Sequence, residues 1–546
     1  MATEAGRVRA RGIGWLGWVV LAAAWFATLQ VRPMLDPDEG RYAEIPREMV
    51  ITGDWLTPRL DGLKYFEKPP LQYWATAVAY SVFGLSEWTS RLWTVGLAFA
   101  CLPMVFAWTR RLYGANAALA AVVTLAASPY FGVISHLGLL DAGFTFWLTG
   151  AVFAFTLAQS SAAGSQTERR WMVLAWLAAA LAILSKGIVV GVLTGVSLIA
   201  YSLIERDIRP WKRLHVAAGL PLFLLVSAPW FVAVSARNPD FPGFFFIHEH
   251  FARFLTTVHQ RVEPWWFFLP LLLFGVLPWV FSVAGASRHA WQDRGAGGEF
   301  KPLRFLLIFS AVTLLFFSAS GSKLAPYILP LFPPLAAIIG VHVGAQTAFL
   351  RRLATIGAVI VVIVAGGMLV YSALHNSFVP HLAMAWVGVA VAVMLVAILI
   401  MRMQQGADAV IPTVAVAAAI TFAWQCFLAA YVAIPPTRSA KELVVAAQPY
   451  IHPQTALYSV GQYRETISPY LQRTLTLVQF RGELDFGLNA EPGRQEASAA
   501  EFEARWNAST DAVAFFGPQL WDEYRHKGFP GRVIAADHYT VAVSRT

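Results

Sequence analysis

PLQYWATAVAYSVFG, residues 70–84, decides the topology of this chain. The segment is apolar, but a helix crossing a hydrocarbon core about 30 Å thick needs about 20 residues. It follows a charged loop and carries Gln72, Tyr73 and Trp74, groups that favour the water–lipid boundary. It reads as an interfacial helix lying on the membrane. Outward from it, apolar runs of spanning length fall near 13–31, 92–109, 115–134, 139–159, 171–186, 187–204, 216–235, 265–287, 303–319, 325–347, 354–373, 382–401 and 410–433. If 70–84 does not span, the loops with Arg110/Arg111, Arg169/Arg170, Arg206/Arg209/Lys212/Arg213, Arg288/Arg294/Lys301/Arg304, Arg351/Arg352 and Arg402 share one side with Arg7, Arg9 and Arg11. Basic loops mark the cytoplasmic side. If it spans, every later loop flips and the rule is broken.

Composition agrees. Of 546 residues, 57% are hydrophobic and 13% charged, against about 25% charged in ordinary globular proteins. Mean hydropathy is +0.55. So little charge cannot cover a soluble enzyme of this length, and disorder is excluded. Cys101 and Cys426, the two cysteines, both lie in apolar runs, which argues against a disulfide scaffold. The net charge of +9 reflects the basic cytoplasmic loops rather than a nucleic-acid partner. The first run is too long, and lacks the small-residue site, for a cleaved signal peptide. The expected fold is an α-helical polytopic membrane protein of about 13 transmembrane helices over residues 1–434, with a small α/β domain at 435–546. Loops 32–91 and 237–264 and that domain then face outward, into the periplasm.

The tail differs in kind. Strand-like runs at 456–460, 474–478, 512–516 and 539–543 alternate with helix-like runs at 462–471, 497–506 and 519–526. Nowhere is there a P-loop, a dinucleotide-binding glycine fingerprint, a Cys/His cluster or a nucleophile elbow. No nucleotide is expected.

The first outward loop reads LDPDEGRYAEIPREMVITGDWLTPRLDGLKYFEKPPLQYW. Between Arg32 and Lys68 it holds eight acids and six bases, a dense deposit in so apolar a chain. Asp38 and Glu39 follow the first span. Asp38 is open to two readings: a general base or cation-stabilising carboxylate, or the cap of a helix over 39–50. Lys68 stands before the interfacial helix, where an ammonium either pairs with a lipid phosphate or simply snorkels. Asp141, Lys186, Lys323 and Tyr327 mark the outer ends of spans, and ionisable groups there are costly unless functional or paired. In the second outward loop, FPGFFFIHEHFARF, Arg253 suits a phosphate. His248 there and Glu67 are candidate ligands of a divalent cation, zinc or magnesium; interfacial histidines beside an aromatic belt are the alternative. Together these groups suggest a basic, acid-containing site at the outer leaflet, fit for an anionic lipid headgroup.

DPDEGRYAEIPREM, GDW and YFEKPP, with the outer Asp of the fourth span, resemble the lipid-linked-sugar glycosyltransferases of the GT-C membrane fold. The chain is most similar to the bacterial aminoarabinose transferases of lipid A, relatives of the protein O-mannosyltransferases. The strong part covers about residues 36–95. The resemblance implies transfer of 4-amino-4-deoxy-L-arabinose from undecaprenyl phosphate to a lipid A phosphate at the periplasmic face of the bacterial inner membrane, giving resistance to polymyxin and other cationic peptides. By position, Asp38 matches the family's catalytic carboxylate, with Asp141 a second catalytic candidate that would help shape the sugar pocket. Lys68, Arg253, Lys186 and Tyr327 would hold the donor phosphate, and Glu39, Tyr65 and Glu67 would line the sugar pocket. A single displacement with inversion is expected. The alternatives are another sugar, a protein or glycan acceptor, or a transporter of lipid-linked sugar.

Overall fold

The computed structural model describes residues 13–545 except 253–262, 296–299, 345–354, 371–380, 404–409 and seven positions between 358 and 369. Arg253 and most of the expected span 354–373 lie outside the described residues. The chain forms two compact units: Met1–Leu29, Thr94–Val232 and Phe246–Ala433; and Gln30–Trp93, Ala233–Phe245 and Ile434–Thr546.

Among the described residues, seven helices are long and apolar enough to cross a membrane, or nine if each of two bent pairs is one span. Of the thirteen expected, 354–373 lies mostly outside the described residues, and the other differences have local reasons. Run 115–134 breaks at Ser128, ahead of Pro129, with a bend of 59°. Run 265–287 breaks between Gly275 and Val280, around Pro278, with a bend of 99°. Proline supplies no N–H and clashes with the preceding turn, so it ends a helix. The Ser128 hydroxyl donates to the carbonyl of Gly275, joining the two breaks and satisfying a freed acceptor. Trp15–Phe26 and Val189–Glu205 are apolar but shorter helices. Gln166–Lys186 opens with Glu168, Arg169 and Arg170 and closes on Lys186, which shortens its apolar part.

Close packing in the first unit uses small residues. A Cβ on Gly340 would meet Ala121 Cα at 2.5 Å, and one on Gly344 would meet Ala117 Cα at 2.6 Å. The helix Phe332–Gly344 therefore lies backbone to backbone against Ala115–Ala127, as small residues four apart allow in apolar surroundings.

The second unit carries the charged loop. Helix Asp38–Thr52 ends at Gly53, which takes the left-handed conformation (φ 71°). A two-residue turn, Asp61-Gly62, joins β1 (Arg59–Leu60) to β2 (Leu63–Lys64). Both turn residues have positive φ, at 55° and 78°, as a tight hairpin turn demands. Segment 70–84 forms the helix Leu71–Phe83, 13 residues or about 20 Å long, too short to span.

The C-terminal residues form a six-stranded mixed sheet: β3 (Ala456–Val460), β4 (Thr476–Val478), β5 (Glu496–Ala497), β6 (Ala512–Phe516), β7 (Arg532–Ala536) and β8 (Val541–Ser544), in the order β5-β4-β3-β6-β8-β7. The first four pair in parallel and the last two antiparallel. Strands β3 and β6 are those expected from their apolar runs. β5 and β7 were not expected: the first is two residues long and the second is an exposed edge. Val460, Phe502, Trp506, Phe516 and Val543 centre the core. Helix Ala499–Ala508 starts with a capping box, Ser498 to Glu501.

Candidate active site

Asp38 opens its helix and does not cap it. The N-cap is Pro37, which offers no side-chain acceptor. The Asp38 carboxylate is 39% exposed and pairs with Arg41 at 2.9 Å. Its placement is set by its neighbours. Glu39, buried, takes five hydrogen bonds: two from Arg32 (2.7 and 2.8 Å), two from Arg91 (2.8 and 3.0 Å) and one from the Leu35 amide (3.0 Å). Arg91 also donates to the carbonyls of Arg32 and Pro33. Burial pushes Glu39 up, but Arg32 and then Arg91 outweigh it and hold the carboxylate at about 2. Arg32 bears the cost of two guanidiniums on one carboxylate: burial and then Arg91 pull its pKa down. Glu39 is thus occupied as an anchor beside Asp38. On the other side, Gly40 meets the backbone of Glu465 and Thr466; a Cβ there would stand 2.5 Å from Glu465 C. Asp36 accepts from the Thr466 amide (2.8 Å) and Arg464 (3.0 Å). The aspartate is therefore an accessible carboxylate on a fixed backbone.

Arg41 lies at the centre of the surrounding charge. Besides Asp38 it bonds both oxygens of Glu483, one at 3.3 Å, and stands 3.9 Å from Glu465. Its guanidinium is 5.9 Å from the ring centres of Tyr42 and Tyr65. Glu465 and Glu483 thus meet at one nitrogen of Arg41, Nη2, and two carboxylates so close repel unless a proton or a cation lies between them. Burial, and then the Glu483 charge, pushes Glu465 well up; burial pushes Glu483 up against the pull of Arg41. Tyr73 joins the group through Tyr42, whose ring is 6.2 Å from its own and 5.9 Å from the Arg41 guanidinium; burial, and then the Glu67 charge, pushes the Tyr73 phenol up. Lys68 donates to the Glu67 carbonyl at 2.9 Å and lies 3.9 Å from its carboxylate. Of the expected residues, Asp38, Tyr65 and Glu67 thus share one charged cluster, with Lys68 beside Glu67.

The first unit holds a second cluster. Lys186 Nζ pairs with Asp141 and stands 4.6 Å from the ring centre of Tyr327, with Phe144 at 5.4 Å and Phe317 at 6.0 Å. The sequence reading named Asp141, Lys186 and Tyr327 separately, and the fold brings them together. Lys323 instead caps backbone, donating to Ser320 (2.7 Å) and Glu263 (3.0 Å) carbonyls. His248 lies 3.4 Å from the Glu249 carboxylate. Among the described residues no three or more His, Cys, Asp or Glu are placed together to hold a metal ion.

Residues 443–545 match the aminoarabinose transferase C-terminal domain, and residues 18–245 match the dolichyl-phosphate-mannose-protein mannosyltransferase family. The crystal structure of ArnT from Cupriavidus metallidurans bound to undecaprenyl phosphate is 33% identical, covers 97% of each chain and superposes with a TM-score of 0.87. The chain belongs to the aminoarabinose transferase family. The apo form of the same Cupriavidus protein matches at 32% identity and TM-score 0.85, again over 97% of each chain. This is a multi-span membrane protein of the GT-C fold. An undecaprenyl phosphate-alpha-4-amino-4-deoxy-L-arabinose arabinosyl transferase of Erwinia tasmaniensis is 35% identical over 59% of this chain. One of Pseudomonas aeruginosa is 37% identical over 56% of it. The matched stretches span 57% and 54% of those two relatives' own lengths.

Sequence reasoning missed Arg41, Arg91, Glu465, Glu483 and Tyr73. Arg41 and Arg91 were visible only as members of a charged loop. Glu465 and Glu483 are isolated acids more than 400 residues downstream of Arg41 and carry no local pattern.

Proposed function

We propose that the protein transfers 4-amino-4-deoxy-L-arabinose from undecaprenyl phosphate to a phosphate of lipid A, at the periplasmic face of the bacterial inner membrane. The observation that carries this reading is full-length similarity to a protein crystallised with undecaprenyl phosphate. The described geometry fits: an accessible carboxylate on a rigid anchor, beside a group of acids suited to a cationic sugar. In the reaction an oxygen of the lipid A phosphate attacks the anomeric carbon. The bond from that carbon to the donor phosphate breaks, and undecaprenyl phosphate leaves with the electron pair. The acceptor is already largely ionised at neutral pH, its second pKa being about 6. Asp38 therefore acts less as a base than as a stabiliser of positive charge growing on the sugar ring. Inversion follows from one displacement. Lys68, Arg253, Lys186 and Tyr327, matched to the family by position, are assigned to the donor phosphate, whose departure needs cationic stabilisation. Asp141 positions Lys186. Capping lipid A phosphates with an amino sugar reduces negative charge and so lowers affinity for polymyxin.

Mass spectrometry of lipid A from a transferase-deficient strain tests this. The wild-type chain adds a pentosamine to the phosphate; no addition from well-folded protein would reject the sugar or the acceptor. Hexose or neutral pentose additions would favour the alternative donors.

A further inference from the structure

The cluster around Arg41 has more carboxyls than cations. Asp38, Glu465, Glu483 and Glu67 face one another within the second unit, with Arg41 among them and Lys68 at Glu67. Glu465 and Glu483 both approach the same Arg41 nitrogen, so one guanidinium serves two carboxyls and, with no further cation, a proton must offset the surplus. A second observation points to a ligand. Tyr73 is fully buried, its ring 6.2 Å from that of Tyr42, and its hydroxyl has no hydrogen-bond partner among the described residues. A buried, unpaired hydroxyl is costly unless something comes to pair with it. Tyr42, which packs on Tyr73, lies in turn 5.9 Å from the Arg41 guanidinium, so the phenol belongs to the same cluster. The side chains of Glu465 and Glu483 remain 12% and 19% exposed, so the group is reachable.

We propose that Glu465, Glu483 and the Tyr73 hydroxyl form the subsite that receives the protonated amine of the donor sugar and so select an amino sugar over a neutral one. This rests on the aminoarabinosyl-transfer reading and adds the residues that choose the sugar. An ammonium offers three N–H donors and one positive charge. It replaces the offsetting proton, which leaves to solvent, and donates to the two carboxylates and the phenol oxygen. A sugar hydroxyl at the same position brings no charge and leaves the carboxyl pair protonated. Specificity of this kind comes from buried groups that only the right ligand satisfies.

The test compares two donors with purified full-length protein and lipid A: undecaprenyl phosphate carrying 4-amino-4-deoxy-L-arabinose, and undecaprenyl phosphate carrying L-arabinose. The readout is the ratio of their kcat/KM values. Wild type prefers the amino donor, and its preference weakens in acid because protons compete for the carboxyl pair. Glu465→Gln lowers the ratio about ten- to hundredfold, the range for a charge-assisted hydrogen bond. Tyr73→Phe lowers it about tenfold through KM with no loss of melting temperature, because the hydroxyl has no partner among the described residues. An unchanged ratio in both variants, or a wild type without preference, overturns the assignment. A wild type that uses neither donor overturns the proposed function itself, a distinguishable result.

Discussion

Replacing Glu39 by Gln removes one charge from a buried triad and keeps its shape. In the folded protein Arg32 and Arg91 hold Glu39 at about 2, against an ordinary 4.5. At ~1.4 kcal/mol per pKa unit that depression is worth about 3 kcal/mol. The figure agrees with the ~3–5 kcal/mol cost of breaking a buried ion pair. For a domain of 150–250 residues each kcal/mol moves the midpoint by ~2–4 °C, so Glu39→Gln should melt about 6–12 °C below wild type at pH 7. Thermal unfolding of the detergent-solubilised protein measures this. The pH dependence gives a second check. Because the folded pKa is depressed, the stabilisation is present above 4.5 and is lost as pH falls towards 2, so wild type and variant should converge in that window. Arg91→Met should cost more than Arg32→Met, since Arg91 also holds the Arg32 and Pro33 carbonyls. A Glu39→Gln midpoint within about 2 °C of wild type at pH 7, or a gap that persists in acid, would refute the anchoring role.

Three further outcomes follow from the same reasoning. Burial raises Asp61 to about 8, in a group with Glu44, Glu48, Arg47 and Tyr463. With the folded pKa raised above 3.8, its stabilising proton is lost as pH climbs from 3.8 to 8; Asp61→Asn should therefore melt higher than wild type at pH 8 and show a flatter pH profile, and a steeper one would count against it. Lys186→Met leaves Asp141 unpaired at 12% exposure, so donor KM should rise at least about tenfold with reduced stability, whereas Lys186→Arg should retain more of both; an unaltered KM would remove Lys186 from the donor phosphate. Chelation tests the cation expected at Glu67 and His248: activity lost in EDTA and restored by Zn²⁺ or Mg²⁺ would support a metal there, and activity retained would discard it.

The sequence is most legible where local pattern and structure coincide. The apolar runs 456–460 and 512–516 are strands to the residue, because the second is fully buried and the first is buried from Leu457 onward. Segment 70–84 is a short helix as its length required. The breaks at Ser128 and Pro278 were overlooked because average apolarity says nothing of a bend. The Asp61-Gly62 turn was in plain sight as a hairpin signal but was buried in a loop read for charge alone. Asp38 stands out as an acid after the first span, but what fixes it does not: the sequence suits Glu39 to pocket lining, whereas the fold ties it to Arg91, 52 positions away. The pairing of Arg41 with Glu483 spans 442 positions and depends on the tertiary fold. No periodicity encodes such a contact.

The most direct test of the account is transfer by purified wild type and Asp38→Asn, with undecaprenyl phosphate-linked 4-amino-4-deoxy-L-arabinose and lipid A, followed by product mass. Asn keeps the size of the side chain but not the charge. The account predicts pentosamine-modified lipid A from wild type and a rate lower by at least about 10²-fold in the variant, with an unchanged melting temperature because Asp38 is 39% exposed. A variant within about threefold of wild type would contradict the role of Asp38.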